Sequence, residues 1–322
     1  MNEEMIIPVL NKIKKSNNIY IMPHKGIDLD AFGASLGLYF YLKSIGKHCQ
    51  VVISEYQYDL SVEKALNELK HQGLEFERYQ EDEEFFDNDL LIVLDCYKKE
   101  LTDNETVYEK IKNKIIIDHH YSTEDLDNSI TSYIYNNASS TCELITEILK
   151  EENTIIPDYI YTLLLSGIAV DTSNFTMKVT ASTYLMAAYL TNKGADLKEI
   201  QFLLKENIEE YFKIQKVIKN IKIVNDVIAI SKADDEIYDK EFLAKVSSTL
   251  LRFEDIEISF TIGKISDNIV GISARSLGNY DVSKYMRLLN GGGSITDAAT
   301  QIKDTSIDKV ENELLETIKG GK

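Results

Sequence analysis

Along the first half of the chain, short runs of uninterrupted apolar residues alternate with segments whose apolar positions recur at helical spacing. Residues 4–15 predict a helix, 18–22 a buried strand and 31–45 a second helix, followed by strands at 49–54, 90–94 (LLIVL) and 114–117 (KIII). Strands that are apolar throughout belong in a parallel sheet covered on both faces. From Ser140 the period is helical through 142–151, 157–170, 182–192 and 197–221. It then changes to two, predicting strands at 223–231, 256–265 and 268–276, the last pair joined by a turn-like SDN at 266–268. A helix at 282–289, a glycine turn at 291–293, a helix from Thr296 and a final helix from Ser306 complete the pattern. The predicted fold class is α/β: an N-terminal parallel-sheet domain (1–190) with helices on both faces, a helical linker (191–221) and a smaller C-terminal α/β domain (222–322).

Composition leaves that picture standing and narrows the partners. With 322 residues, 44% hydrophobic and only 15 Gly and 3 Pro, the chain can bury two cores and is neither collagen-like nor disordered. A net charge of −18 repels polyanions, so long nucleic acid and anionic membrane are not expected partners. A short anionic ligand needs local positive charge, from bound cations or from the few arginines (Arg78, Arg252, Arg275 and Arg287). Cys49, Cys96 and Cys142 are widely spaced and predict reduced thiols. The N-terminal residues carry acids before a short apolar run, with no cleavage pattern and no membrane-length apolar stretch. The expectation is a soluble, cytoplasmic protein.

Ligands of open parallel sheets sit beyond the carboxyl ends of the strands, and the chemistry-bearing residues cluster there. The first strand runs into His24-Lys25-Gly26-Ile27-Asp28-Leu29-Asp30, the third ends at Asp95, and the fourth at Asp118-His119-His120. Asp171 closes the apolar run LLLSGIAV and is grouped with them as a fourth such end. Taken singly, a DxD is more often a helix cap and an HH pair more often structural. Taken together, carboxylates and imidazoles in this mix suit manganese, iron or zinc in a binuclear site. Asp118, ahead of two histidines, suits a carboxylate that orients an imidazole.

These segments resemble the DHH phosphoesterase superfamily, in which HxxxDxDxxG (His24 to Gly33) precedes the Asp-His-His signature at Asp118, His119 and His120. HKGIDLDAFGASLG, ASSTCELITEIL, AVDTSNFT, KGAD, ISARSLG and DAATQ are similar to the catalytic part of GdpP-type cyclic di-AMP phosphodiesterases, and the resemblance covers nearly the whole chain. The membrane helices and the PAS-like and cyclase-like regions of those proteins have no counterpart in this sequence, so regulation through them is not expected. The resemblance makes residues 1–190 a DHH catalytic domain and 222–322 a DHH-associated substrate-binding domain. It implies two manganese ions: one on His24, Asp28 and Asp95, the other on Asp30, Asp95, His119 and Asp171, with Asp95 bridging. His120 is implied as a contact to the scissile phosphate. Arg275, Ser273 and Ser276, with the turn of Gly291, Gly292 and Gly293 and the adjacent Ser294, are implied to hold the rest of the nucleotide.

Two departures stand out. Ser294 occupies a position where the family usually has histidine, and Tyr121-Ser122 follow the signature where basic residues are common. Both remove phosphate-binding groups. The expected activity is manganese-dependent hydrolysis of cyclic di-AMP to pApA, with further cleavage to AMP. The alternative is an oligoribonuclease (nanoRNase) or pAp phosphatase of the NrnA type, and a third reading is a non-catalytic nucleotide-binding protein. The expected partner is a cyclic or linear dinucleotide, and a homodimer is the oligomer such phosphoesterases often form.

Overall fold

The computed structural model describes every residue except 1–2, 55–57, 82, 121–126, 128 and 321–322, so Tyr121 and Ser122 lie outside the described residues. The chain divides into two compact units, residues 1–205 and 206–322. The stretch expected as a linker is shared between them.

The first unit runs α1 (Glu3–Lys15), β1 (Asn18–Met22), α2 (Leu29–Ser44), β2 (His48–Val51), α3 (Leu60–His71), β3 (Leu90–Leu94), α4 (Glu105–Lys110), β4 (Asn113–Asp118), β5 (Thr131–Ile134), α5 (Thr141–Glu151), α6 (Asp158–Asp171), α7 (Ala181–Asn192) and α8 (Leu197–Leu203). Its strands form one sheet in the order β2-β1-β3-β4-β5, every pair parallel. Ile19, Ile21, Ile92, Leu94, Ile115 and Ile117 pack on one face beneath α2, α5 and α6. The alternate residues Tyr20, Met22, Leu91, Val93 and Ile116 pack on the other, against Val107 of α4 and Ile111. Burial on both faces explains why these strands read as continuous apolar runs. β5 (TSYI) escaped prediction because only Tyr133 of its four residues is buried.

Strand order reverses between β1 and β3. In such sheets the two loops leaving these neighbours diverge and open a crevice at the carboxyl edge. Here the loop after β1 is also pinned to the segment that follows β3: the Lys25 amide donates to the Leu101 carbonyl at 2.8 Å, and the Asp103 amide donates to that of Pro23 at 3.1 Å.

The second unit contains α9 (Ile208–Ile218), β6 (Lys222–Val224), β7 (Ile228–Ile237), α10 (Lys240–Leu250), β8 (Ile258–Ser266), β9 (Ile269–Ser276), α11 (Val282–Leu288), β10 (Gly292–Gly293), β11 (Asp297–Lys303) and α12 (Ile307–Gly320). Its mixed sheet has the order β10-β11-β9-β8-β7-β6, with β7 and β8 parallel across the α10 crossover. Ile258, Phe260 and Ile262 pack beneath α11 and α12 on one face, while Ala229 and Ala233 pack beneath α9 and α10 on the other.

Two local expectations are corrected. The strand expected at 223–231 is a hairpin, broken at Asn225 and Asp226, whose φ angles of 52° and 62° give a left-handed turn suited to those residues. The helix expected from Thr296 is strand β11: in DAATQIK Ala298 and Thr300 are buried while Ala299 and Gln301 are exposed, and the segment pairs antiparallel with β9 along its whole length. Ala and Gln favour helix intrinsically, but the sheet partner decides.

Candidate metal centre

The residues expected at the carboxyl edge of the first sheet do converge. His24 follows β1 and bridges to Thr102. Asp28 caps α2: its Oδ1 accepts from the Ala31 amide at 2.9 Å, which leaves Oδ2 turned to His24 Nε2 at 3.7 Å. Asp30 is the second residue of the same helix and is fully buried. Asp95 is the residue after β3 and stands in the left-handed region at φ 61°, a conformation costing about 1–3 kcal/mol that persists only where surroundings enforce it. Asp171 ends helix α6 rather than a strand, so the grouping is three strand ends and one helix end.

Two overlapping clusters result. His24, Asp28 and Asp95 have ligand atoms within 4.8 Å of one another, and so do Asp30, His119 and Asp171. The Asp95 carboxylate is divided between them, with Oδ2 3.4 Å from His24 Nε2 and Oδ1 3.4 Å from His119 Nε2. His119 Nε2 also lies 3.2 Å from Asp171 Oδ2 and 4.0 Å from Asp30 Oδ2. It is a buried nitrogen with no hydrogen-bond partner among the described residues. Such an orphan facing three carboxylates fits a cation ligand. His24 fits as well, because Nδ1 donates to the Lys25 carbonyl at 2.9 Å and so leaves Nε2 as the free nitrogen.

Electrostatics point the same way. Burial pulls the His24 imidazole down, but the Asp28 and Asp95 carboxylates outweigh it and push it up to about 12. His119 is likewise carried well above its ordinary value, against burial, by Asp171 and Asp95. Burial raises Asp30, with Asp95 and Asp171 adding to it. Asp95 goes the other way: burial opposes its charge, yet His119 and His24 hold it far below the usual carboxylate range. The pocket thus demands positive charge, which divalent cations would supply in place of the protons.

The two adjacent imidazoles have different surroundings. The His119 side chain is 6% exposed and that of His120 is 55%. His120 Nδ1 pairs with Asp118 Oδ1 at 2.8 Å, so Nε2 is the nitrogen left to face outward. Asp118 therefore orients an imidazole, as its place in the sequence suggests. His120 Nδ1 also lies 3.6 Å from Asp95 Oδ1, and a ring nitrogen of His120 falls within 4.8 Å of ligand atoms of Asp95 and His119.

Sequence reasoning missed the end of α5. The Thr141 and Cys142 amides donate to the two oxygens of Asp30, each at 2.8 Å, and Thr141 Oγ1 donates to Asp95 Oδ1 at 2.9 Å. A helix start is signalled by Ser140, three residues before Glu143, but nothing in that pattern says what the helix end faces.

Residues singled out in the second unit are brought together only in part. Arg275 and Ser273 share a face of β9; Arg275 Nη1 reaches the Ser273 hydroxyl at 3.3 Å and the Ala274 carbonyl at 2.9 Å. Arg275 Nε pairs with Asp297 Oδ1 at 3.0 Å, directly across the strand pair, a partner the sequence did not reveal. Ser276 turns away, its hydroxyl donating to the Tyr280 carbonyl at 2.7 Å. The glycine run forms edge strand β10 against β11 rather than opening a helix. A Cβ on Gly293 would lie 2.3 Å from the Asp297 carbonyl oxygen, whereas one on Gly292 would meet nothing within 4 Å. Ser294 Oγ accepts from the Asp297 amide at 3.1 Å.

A switch-point crevice lined by two carboxylate–imidazole clusters, on a chain with a second mixed-sheet unit, defines a class that comparison makes specific. The chain belongs to the DHH family: residues 18–168 match the DHH family N-terminal domain and residues 220–320 the DHHA1 domain. It is 35% identical over 322 aligned residues to the cyclic-di-AMP phosphodiesterase GdpP of Geobacillus thermodenitrificans, an alignment covering 96% of this chain and 49% of that protein. The chain thus spans about half the length of that relative. A more distant likeness, 23% identity covering 94% of this chain and 89% of the relative, is to the bifunctional oligoribonuclease and PAP phosphatase NrnA of Thermus thermophilus. Among solved structures, an exopolyphosphatase-related protein from Bacteroides fragilis shares the fold, with a TM-score of 0.79, 22% identity and coverage of 98% of this chain and 96% of that one.

Proposed function

We propose that this chain is a manganese-dependent phosphodiesterase that opens cyclic di-AMP to the linear dinucleotide pApA, which is cleaved onward to AMP. One observation carries the hydrolytic reading: Asp95 turns one oxygen to each of two ligand clusters. The substrate is inferred from the likeness to GdpP. In this reading His24, Asp28 and Asp95 hold one manganese ion, and Asp30, Asp95, His119 and Asp171 hold the second. When bound, the two cations neutralise charge on phosphoryl oxygens and make a water acidic enough to attack phosphorus near neutral pH.

The chain's own groups supply the rest. His120, fixed through Nδ1 by Asp118, offers Nε2–H to a phosphoryl oxygen or to the departing O3′, since a product carrying a 5′-phosphate requires the P–O3′ bond to break. Burial opposes the proton on His120, but Asp118 and Asp95 favour it more strongly and raise the imidazole above its ordinary value. In the second unit, Arg275, paired with Asp297 and bonded to Ser273 and Ala274, takes the other phosphate by sharing those partners. Ser276, Ser294 and Gly291 to Gly293, of which Gly292 and Gly293 form edge strand β10, complete the proposed nucleotide-binding region. A homodimer and a cytoplasmic setting belong to the same proposal; no helix of the described residues is long and apolar enough to cross a membrane.

The likeness to NrnA, which extends over nearly the whole of both chains, favours a second reading: an oligoribonuclease or pAp phosphatase with the same cation ligands. Turnover of cyclic di-AMP, pApA and pAp by one manganese-loaded preparation separates the two. Fastest cleavage of cyclic di-AMP supports the first reading and preference for pAp the second. Binding without turnover of any of them would leave a nucleotide-binding protein.

A further inference from the structure

We propose that Thr141 is a positioning residue that fixes how the Asp95 carboxylate is shared between the two cation sites. The inference rests on the two-cation reading. A carboxylate can serve both clusters only while its plane keeps one oxygen towards each; a quarter-turn about its last side-chain bond would aim both oxygens at neither. Among the described residues Asp95 Oδ2 is paired with the His24 imidazole, at 3.4 Å, and an imidazole serving as a ligand cannot also hold that oxygen by a hydrogen bond. Oδ1, by contrast, accepts a hydrogen bond of 2.9 Å from the Thr141 hydroxyl. Among the described residues this contact sets the plane from a group that is not itself a cation ligand.

Thr141 is itself held hard. It is fully buried at the first turn of α5, where branching at Cβ restricts its side chain. Its amide and that of Cys142 grip the two Asp30 oxygens. The helix end is anchored behind: Ser140 Oγ accepts from the Glu143 amide at 3.0 Å, and Glu143 Oε2 accepts from Ser139 Oγ at 2.6 Å and from Thr183 Oγ1 at 2.9 Å. Helix α6 closes over it at a glycine, since a Cβ on Gly167 would lie 2.4 Å from Cys142 Sγ and 2.9 Å from Asp30 Oδ1. One helix end therefore orients Asp30 through its backbone and Asp95 through its hydroxyl. Both are ligands of the His119 site, so that site should depend on Thr141 more than the His24 site does.

Calorimetric titration of the full chain with manganese, metal removed beforehand, tests this in wild type, Thr141→Val, Thr141→Ala and Thr141→Ser. Wild type should take up two ions. Val and Ala should weaken one binding event by about 10–100-fold, the range expected when a group supporting a metal ligand is lost, and leave the other within a few-fold. Serine keeps the hydroxyl and should restore both. If Val does not fold, as judged by thermal melting of the metal-free form, Ala carries the same comparison. Two unchanged affinities in the hydroxyl-free variants would overturn the assignment, as would a serine variant as defective as alanine, which would make the methyl group the important part. Wild type binding one ion or none would instead overturn the two-cation reading beneath it.

Discussion

The carboxyl edge of the first sheet and the Arg275 face of the second carry the polar groups singled out for chemistry under opposite conditions. Around Asp95, four carboxylates and three imidazoles are crowded into a partly buried crevice that their own pairing does not satisfy: His119 Nε2 has no hydrogen-bond partner among the described residues, His24 is pushed up to about 12, and Asp30 is driven upward by burial and by its acidic neighbours. Around Arg275 the charges are already matched. The guanidinium is paired with Asp297, and the hydroxyls of Ser276 and Ser294 are spent within their own loops. An unsatisfied cluster is built to take a cation, whereas a satisfied one can take a phosphate only by sharing or exchanging partners. Loss of a residue should therefore be severe in the first region and graded in the second.

The largest effect is expected for Asp95→Ala. Its carboxylate serves both clusters, and Cys96, the next residue, is a buried thiol that burial pushes upward and cannot replace it. Hydrolysis should fall by about 10³-fold or more, the equivalent of several kcal/mol of lost charge stabilisation. Metal analysis should show manganese lost while circular dichroism shows the fold kept. Normal metal content and rate would remove the contrast between the regions.

Next comes the separation of the two imidazoles. His119→Ala should lose metal and activity together. His120→Ala should retain metal and lose about 10²–10⁴ in rate, the usual worth of a positioned proton donor. Equal metal loss in both variants would make His120 a ligand, a role its distance to Asp95 and His119 permits.

In the second region, Arg275→Lys keeps the charge and discards the fork, so KM should rise about tenfold with kcat less affected. Asp297→Asn, which removes the charge pinning Nε, should also shift KM rather than kcat. An unchanged KM for both variants on every dinucleotide would place this face outside the substrate site. Smallest of all is Ser294→His. An added imidazole, ordinarily titrating near pH ~6.5, is charged at low pH. A few-fold gain in kcat/KM should therefore be larger at pH 6 than at pH 8, measured by steady-state kinetics. A loss on cyclic di-AMP, pApA and pAp alike would mean that Ser294 is adapted to another ligand.

How far the sequence could be read follows from the same contrast. His24, Asp28, Asp30, Asp95 and His119 were legible because parallel strands deliver their carboxyl ends to one edge, so position along the chain implies position in space. Asp171 was placed with them from the end of its apolar run, although that run is a helix. The pairing of Arg275 with Asp297 was not legible, since it depends on the register of β9 and β11, and β11 itself reads as helix. Thr141 was hidden for a related reason: a helix cap can be recognised in sequence, but its target is set by packing more than a hundred residues away along the chain.

The central claim is that Asp95 is shared between two cations. Anomalous diffraction from crystals grown with manganese tests it most directly. Two peaks per chain are predicted, about 3.5–4 Å apart, one beside His24 and Asp28 and the other beside Asp30, His119 and Asp171, with an oxygen of Asp95 on each. A single peak, or two that Asp95 does not join, would contradict it.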